Sequence, residues 1–456
     1  MTNPSGAIRG FHGVRAFRHR NYRLFFGGQL ISLVGTWMQQ VAQAWLVLQL
    51  THDPLWLGIV SVAQFGPVII FGLFGGVVAD QLPKRKTLLA TQTVAMVLAF
   101  ILFGLTVTGV VQVWHVLILA VFLGINNSID MPTRQSFAVE MVGREDMTNA
   151  VGLNSAQFNT SRIIGPAVAG LLIGAFNISI AFLLNGLSYI AVIAAYLAMR
   201  DSELRQVEPV ARPTSVRGVF ENLAEGARYV RNTPLVLLGV VVVGLVATFG
   251  MNFQVLVPPL ADNVLHVGAS GFGFLMAASG VGSTITALWV AFSRKVGPTP
   301  IVMGAIALGL GSILLAASSS FGIALVAMFI VGAGGIGMAV TANTTIQLAV
   351  PDQLRGRVMS VYTTVFAGSV PAGGLLMGAI ASVWGVPLAL MVGAVLSLAV
   401  GLGAWVWLRR IRGGQAARAV PAWPTLVAAA DIGAIDPEGR FSGMAAESEL
   451  RVASRR

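Results

Sequence analysis

Apolar runs of about eighteen or more residues recur from Leu24 to Leu408, each long enough to carry a helix across a bilayer. No other feature restricts the fold as strongly. A chain threaded repeatedly through hydrocarbon must satisfy every backbone polar group internally, and helices do so within a single segment. Composition points the same way. Charged residues fill 10% of the 456 positions and hydrophobic residues 55%, where an average soluble domain is roughly a quarter charged. Mean hydropathy is +0.79. The expected fold class is an all-α membrane protein. Twelve transmembrane helices are read, at roughly 24–49, 55–79, 87–109, 114–139, 148–175, 178–199, 234–260, 269–292, 298–318, 321–348, 357–382 and 386–408.

The net charge of +11 reports orientation. Bases gather before Leu24, at Lys84–Lys86, through 200–231, at Arg294–Lys295, at Arg355–Arg357 and after Arg409, and the alternate connections hold almost none. Cytoplasmic loops carry the Lys/Arg excess, so both termini are expected in the cytoplasm, with the protein multi-pass in the inner (plasma) membrane. The partners expected are membrane lipids and a small-molecule substrate. No folded basic domain exists to bind nucleic acid, and the chain is expected to act as a monomer. With no cysteine, disulfides and thiolate metal sites are excluded. No cleavable leader is visible, so the first span is expected to direct insertion.

The organisation expected is a basic N-terminus (1–23), a six-helix bundle (24–199), a central cytoplasmic loop (200–233), a second six-helix bundle (234–408) and a disordered tail (409–456). Within the loop, Phe220, Leu223, Ala227 and Val230 recur at helical spacing, which predicts a helix lying on the membrane surface. The halves echo each other. "VGREDMTNAVGLNS" precedes the fifth span as "VPDQLRGRVMSVYT" precedes the eleventh, and "GPAVAGLLIG" is matched by "VPAGGLLMG". Two such halves related by pseudo-symmetry, with a binding site between them, form a transporter architecture.

Four features bear on mechanism. The stretch "GGVVADQLPKRKTLL" sets Gly76, Asp80, Lys84, Arg85 and Lys86 in one short loop. Asp130 and Arg134 stand one turn apart in the fourth span and can face each other, with Pro132 between them removing a backbone donor. Ionisable groups at such depth are costly and usually functional. Arg162 on the fifth span could share the Asp130 carboxylate, and Asp130 or Glu140 could carry a proton; the alternative is a permanent ion pair that only packs the spans. Gly165, Pro166 and Gly170 thin and bend the fifth span so that a neighbour packs closely. On the first span Gln29, Ser32, Thr36, Gln40 and Gln43 form one polar stripe, which must face protein or a wet path. Gly332-x-Gly334-x-x-Gly337 fits a dinucleotide fingerprint only literally, lacking the preceding strand and the ribose-binding acid, and reads as helix packing. No Gly-Lys-Ser/Thr phosphate loop occurs and no His/Glu spacing fits a metal hydrolase, so neither ATP nor a metal is expected.

These motifs resemble the major facilitator superfamily, across nearly the whole chain. In that family Gly-x-x-x-Asp and its basic cluster sit between spans 2 and 3, the aspartate lying against the N-terminus of helix 11. The resemblance places Asp80 near Arg357 as a cytoplasmic latch, favoured by the helix dipole. The family usually has a base directly after the aspartate and a glycine two later. This chain has Gln81 and Pro83, which leaves Lys84 or Arg85 as the basic partner. The Gly165–Pro166 pair resembles an antiporter motif. Helices 1, 4, 7 and 10 line the cavity in the family, which implies Thr36, Gln40, Gln43, Asn126, Asn252 and Asn343 as substrate-facing groups. With Trp37, Trp45, Phe249 and Phe253 nearby, they suit an amphipathic or aromatic ligand. "NYRLFFGGQLISLVGTW" and "DMPTRQ" are similar to the branch of bacterial enterobactin-type siderophore and macrolide exporters. The implied function is secondary active efflux by alternating access, with a proton gradient as energy source, no cofactor and no enzymatic activity. Alternatives are an uptake symporter or uncoupled facilitator and, from another class, a lipid scramblase or non-transporting sensor.

Overall fold

The computed structural model describes residues 12–205, 216–293 and 297–416, apart from the side chains of 12–13, 73–81, 216–217, 219–220 and 412–416. Gly76 and Asp80 fall among those side chains, as does Phe220. The basic pair Arg294–Lys295 and residues 417–456 also lie outside the described residues; the first part of the expected disordered tail, 409–416, instead continues the last helix.

Every regular element described is helical: α1 (Arg20–Thr51), α2 (Pro54–Gln81), α3 (Lys84–Val107), α4 (Val113–Ala175), α5 (Ser179–Leu197), α6 (Val216–Asn232), α7 (Pro234–Gly250), α8 (Phe253–Asn263), α9 (Gly268–Phe292), α10 (Thr299–Ala316), α11 (Phe321–Ala349), α12 (Asp352–Trp384) and α13 (Val386–Ala416), with two short 3-10 turns. Among the described residues, ten helical segments are long and apolar enough to cross a membrane. α1 is not among them, because its polar stripe lowers its hydropathy.

Two elements depart from the sequence reading. The fourth and fifth spans are joined without a loop, so that α4 runs 63 residues. At about 1.5 Å per residue this is some three times the thickness of a bilayer core. Gly143 resolves the conflict: at φ +75°, ψ 173° it breaks α4 into two arms. Glycine is required there. A Cβ would adopt a φ that side chains avoid and would stand 2.0 Å from the Arg205 guanidinium. The seventh span is likewise two helices, α7 and α8, interrupted at Met251–Asn252 (ψ 32° and 38°).

Three apolar cores hold these helices. One collects Ala16, Tyr22, Leu88, Phe137 and Tyr196 from the N-terminal half alone. A second collects Val236, Val302, Ile346 and Tyr362 from the C-terminal half alone. The third takes Trp45, Leu57, Val116 and Phe182 from one half and Leu256, Phe272, Met328 and Met377 from the other. The two private cores sit at the end that carries Arg15, Arg85 and Arg357; the shared core sits at the opposite end. Among the described residues, buried apolar contact joins the halves at one end, while at the basic end each half has a core of its own. Around the outside, Phe122, Leu171, Trp289 and Phe292 are more than half exposed. An apolar girdle of this kind suits a chain with membrane-length helices, whose outer surface meets lipid.

α6 packs on α12 in the C-terminal half. A Cβ at Gly226 would stand 2.4 Å from the Arg357 carbonyl, and Glu225 pairs with the Arg357 side chain. Val230 is buried and Leu223 half-buried, whereas Ala227 is exposed. Glycines also weld α11 into its surroundings. A Cβ on Gly332 or Gly334 would lie 2.0 Å from the Ser279 carbonyl or 2.6 Å from that of Gly304. The fingerprint-like triplet is therefore a helix-packing surface.

Candidate functional site

Where the halves diverge, a hollow of about 400 Å³ opens. That is within the ordinary range for a small-molecule site, roughly 300–1,000 Å³. Thr36, Gln40, Gln43, Asn126 and Asn252 all line it, as does Gln29 of the α1 stripe. Trp37 and Phe253 supply aromatic wall. Trp45 instead stacks on Phe272 in the shared core, at 6.3 Å between centroids, and Phe249 packs against that same core. Asn343 is not on the hollow and bonds Gln347 one helical turn on. The α7–α8 break places Asn252, Phe253 and Gln254 at the edge of the hollow. Interrupted helices at such depth are tolerated where they line a cavity.

Asp130 is 2% exposed. Its Oδ1 accepts hydrogen bonds from Thr91 Oγ1 (2.8 Å) and Gln92 Nε2 (2.7 Å). Its Oδ2 is 3.2 Å from Arg134 Nη2 across the turn that holds Pro132. Three donors from two helices thus hold one carboxylate. Thr91 and Gln92 escaped the sequence reading, although "ATQTVA" is the polar interruption in the third span that marks them. Arg162 is not among these partners, contrary to the expectation that it shares Asp130. Its guanidinium lies over Trp37, 5.8 Å from the ring centroid, on the wall of the hollow.

The closed end is sealed by close backbone contact. Gln254 Nε2 donates to Gln40 Oε1 across the halves at 2.8 Å, and Ser270 Oγ donates to the Gly170 carbonyl at 2.9 Å. A Cβ on Gly273 would stand 2.4 Å from the Pro166 carbonyl and 2.7 Å from Gly170 Cα. One on Gly58 would stand 2.5 Å from the Gly374 carbonyl. Gly165 faces its own half instead, where an added Cβ would stand 2.5 Å from Trp37 Cβ on α1. Pro166 and Gly170 therefore build the seam to α9, while Gly165 seats α4 on α1.

At the basic end the charges are engaged within each half. Lys84 pairs with Glu140. Arg85 pairs with Asp201 and caps the end of α5, donating to the carbonyls of Tyr196 (2.8 Å) and Leu197 (3.0 Å). A cation there complements the helix dipole. Lys86 is exposed and Arg357 is held by α6. The N-terminal segment docks on the second arm of α4, where Asp146 meets His19 Nε2 (3.0 Å) and Arg15 Nε (3.3 Å).

A membrane-embedded helical protein whose halves diverge around a polar hollow is built as a solute transporter. The chain belongs to the transmembrane secretion effector family of major facilitator transporters, which matches residues 12–432; its members are transporters, not enzymes. It is 25% identical to a staphyloferrin A transporter of Staphylococcus aureus over 80% of this chain and 90% of the relative. It is 29% identical to the multidrug efflux pump Tap of Mycolicibacterium fortuitum over 84% and 94%, and 26% identical to the enterobactin exporter EntS of Shigella boydii over 79% and 85%. Among solved structures, it overlays a bacterial homologue of the human lysosomal transporter Spinster, inward-facing and occupied. The TM-score is 0.67 at 12% identity, over 86% of this chain and 97% of the other. The nucleoside transporter NupG gives 0.64 at 11% identity, over 85% and 99%. At these identities the overlays speak for the fold alone.

Proposed function

We propose that this protein exports a small amphipathic compound across the inner membrane, in exchange for protons, through twelve spans arranged as two six-helix bundles with both termini cytoplasmic. The observation that carries the reading is the hollow between halves that share a core at only one end. Such a body changes access by rocking about the site. The structure is then the state open to the cytoplasm, and the relatives named for siderophore and multidrug export support the outward direction. Asp80 and the base cluster form the latch of the opposite state. Asp130 is the proposed proton carrier, since rocking that parts it from Arg134, Thr91 or Gln92 would change its affinity for a proton. One charge moving down 100 mV gains about 2.3 kcal/mol, enough for roughly fortyfold accumulation.

A second reading, uncoupled facilitation, draws on the three donors that tie up Asp130 in this state. Flux in proteoliposomes separates the two. A fluorescent panel is used: dansylglycine (anion), dansylglycinamide (neutral) and dansylcadaverine (cation), under an imposed pH gradient. Gradient-driven movement of any member, lost in Asp130→Asn while downhill exchange persists, is the expected result. Pumping undiminished in Asp130→Asn removes Asp130 as carrier, and flux of all three no faster than in empty vesicles removes transport of these compounds.

A further inference from the structure

Three charged side chains line the hollow among the described residues: Asp130, Arg134 and Arg162. The first two neutralise each other at 3.2 Å. Arg162 stands alone. No carboxylate, carbonyl or amide among the described residues bonds it; its one contact of note is the face of Trp37, 5.8 Å away. It is half-buried because its head meets the hollow rather than solvent at the surface. An unpaired guanidinium inside a membrane protein is costly to maintain, and an intramembrane charge of this kind is a functional site by default.

The surroundings define what would complete it. A guanidinium offers a planar fork of donors that matches a carboxylate or another oxyanion. Beside it, Trp37 and Phe158 meet edge to face at 5.5 Å between centroids, forming an aromatic wall for an apolar body. The first turn of α8 lines the same hollow, and the positive end of its dipole adds charge of the same sign. The hollow thus carries one uncompensated positive charge next to aromatic surface. We propose that Arg162 is the anion-recognition point of this cavity, and that the compound carried is an acid: an oxyanion head on Arg162 and an aromatic or apolar body against Trp37 and Phe158. This rests on the transport reading for its purpose but not for its test.

The test is equilibrium binding of the same dansyl panel to the purified full-length chain in detergent, which needs no flux. Wild type is expected to bind dansylglycine at least tenfold more tightly than dansylglycinamide, two ligands that differ in charge and hardly in shape. Arg162→Met should reduce that preference to within twofold while leaving the amide's affinity nearly unchanged. Arg162→Gln serves as a second neutral variant should the methionine chain fail to fold. Arg162→Lys, a charge without the fork, should keep a several-fold preference. Equal affinities for acid and amide in wild type overturn the proposal, and so does an acid preference that survives both neutral variants. The second outcome would place the anion elsewhere, or leave Arg162 serving Asp130 in the opposite state. If the preference is present and Arg162-dependent but no panel member is transported, the anion site stands and transport of these compounds is removed.

Discussion

Gly273→Ala tests the seam directly. The added Cβ would stand 2.4 Å from the Pro166 carbonyl, whereas ordinary contact begins at 3.4 Å. The obstacle is backbone on a second helix, so no side chain can turn aside. The two helices must part by about 1 Å, and overpacking of this size costs about 1–3 kcal/mol. The cost falls on the state with the seam closed and is relieved when the halves separate there. The balance between states should therefore move about 5- to 150-fold toward opening at the non-basic end. The chain has no cysteine, so spin labels can be placed without background. One pair, Thr108→Cys with Ser319→Cys, spans the halves at the non-basic end; Lys86→Cys with Gln353→Cys spans them at the basic end. All four positions are exposed. In the alanine variant the first distance should lengthen and the second shorten. Distance distributions identical to the parent's at both ends would refute a seam that opens by rigid separation.

Two further outcomes concern the joints at the basic end. Gly143→Ala should lower stability by at least about 1–2 kcal/mol, read as a fall in the melting temperature, because alanine must adopt φ +75° and displace Arg205; an unchanged melting curve would mean that the break lies elsewhere. Asp146→Ala removes the hydrogen-bond partner of His19 and the ion-pair partner of Arg15 and should cost about 1–3 kcal/mol, detected as faster proteolysis near residues 12–19 in the purified protein.

How much of this was legible beforehand depended on what each signal averages over. Span positions rest on some twenty residues apiece, so α2, α3 and α9 to α11 fall close to their predicted limits, whereas α12 starts earlier, at Asp352, and α13 runs on past Leu408 to Ala416. Breaks rest on one or two residues. The charged segment "VGRED" reads as a loop, yet one left-handed glycine lets helix continue on both sides of it. "FGMNF" is apolar enough to hide the interruption at Met251–Asn252, and only the downstream Pro258–Pro259 pair hints that the backbone there is unusual. The α1 stripe was visible because a single helix carries it with a 3.6-residue period. The cage around Asp130 was half visible: Arg134 is a neighbour along its own helix, whereas Thr91 and Gln92 come from α3 at a rotation no periodicity reveals. Charge and depth make Arg162 a possible partner for Asp130 in the sequence, but the direction of each side chain about its helix decides otherwise.

The one-residue joint in α4 makes its two arms a crank rather than two tethered rods. A slack connection would absorb a tilt of either arm, whereas Gly143, braced by Arg205, passes torque from one to the other. The second arm bears Arg162 and the seam residues Pro166 and Gly170; the first bears Asp130. The arm that meets the seam and the arm that holds the carboxylate are thus joined by one residue of backbone, without any relay of side chains between them.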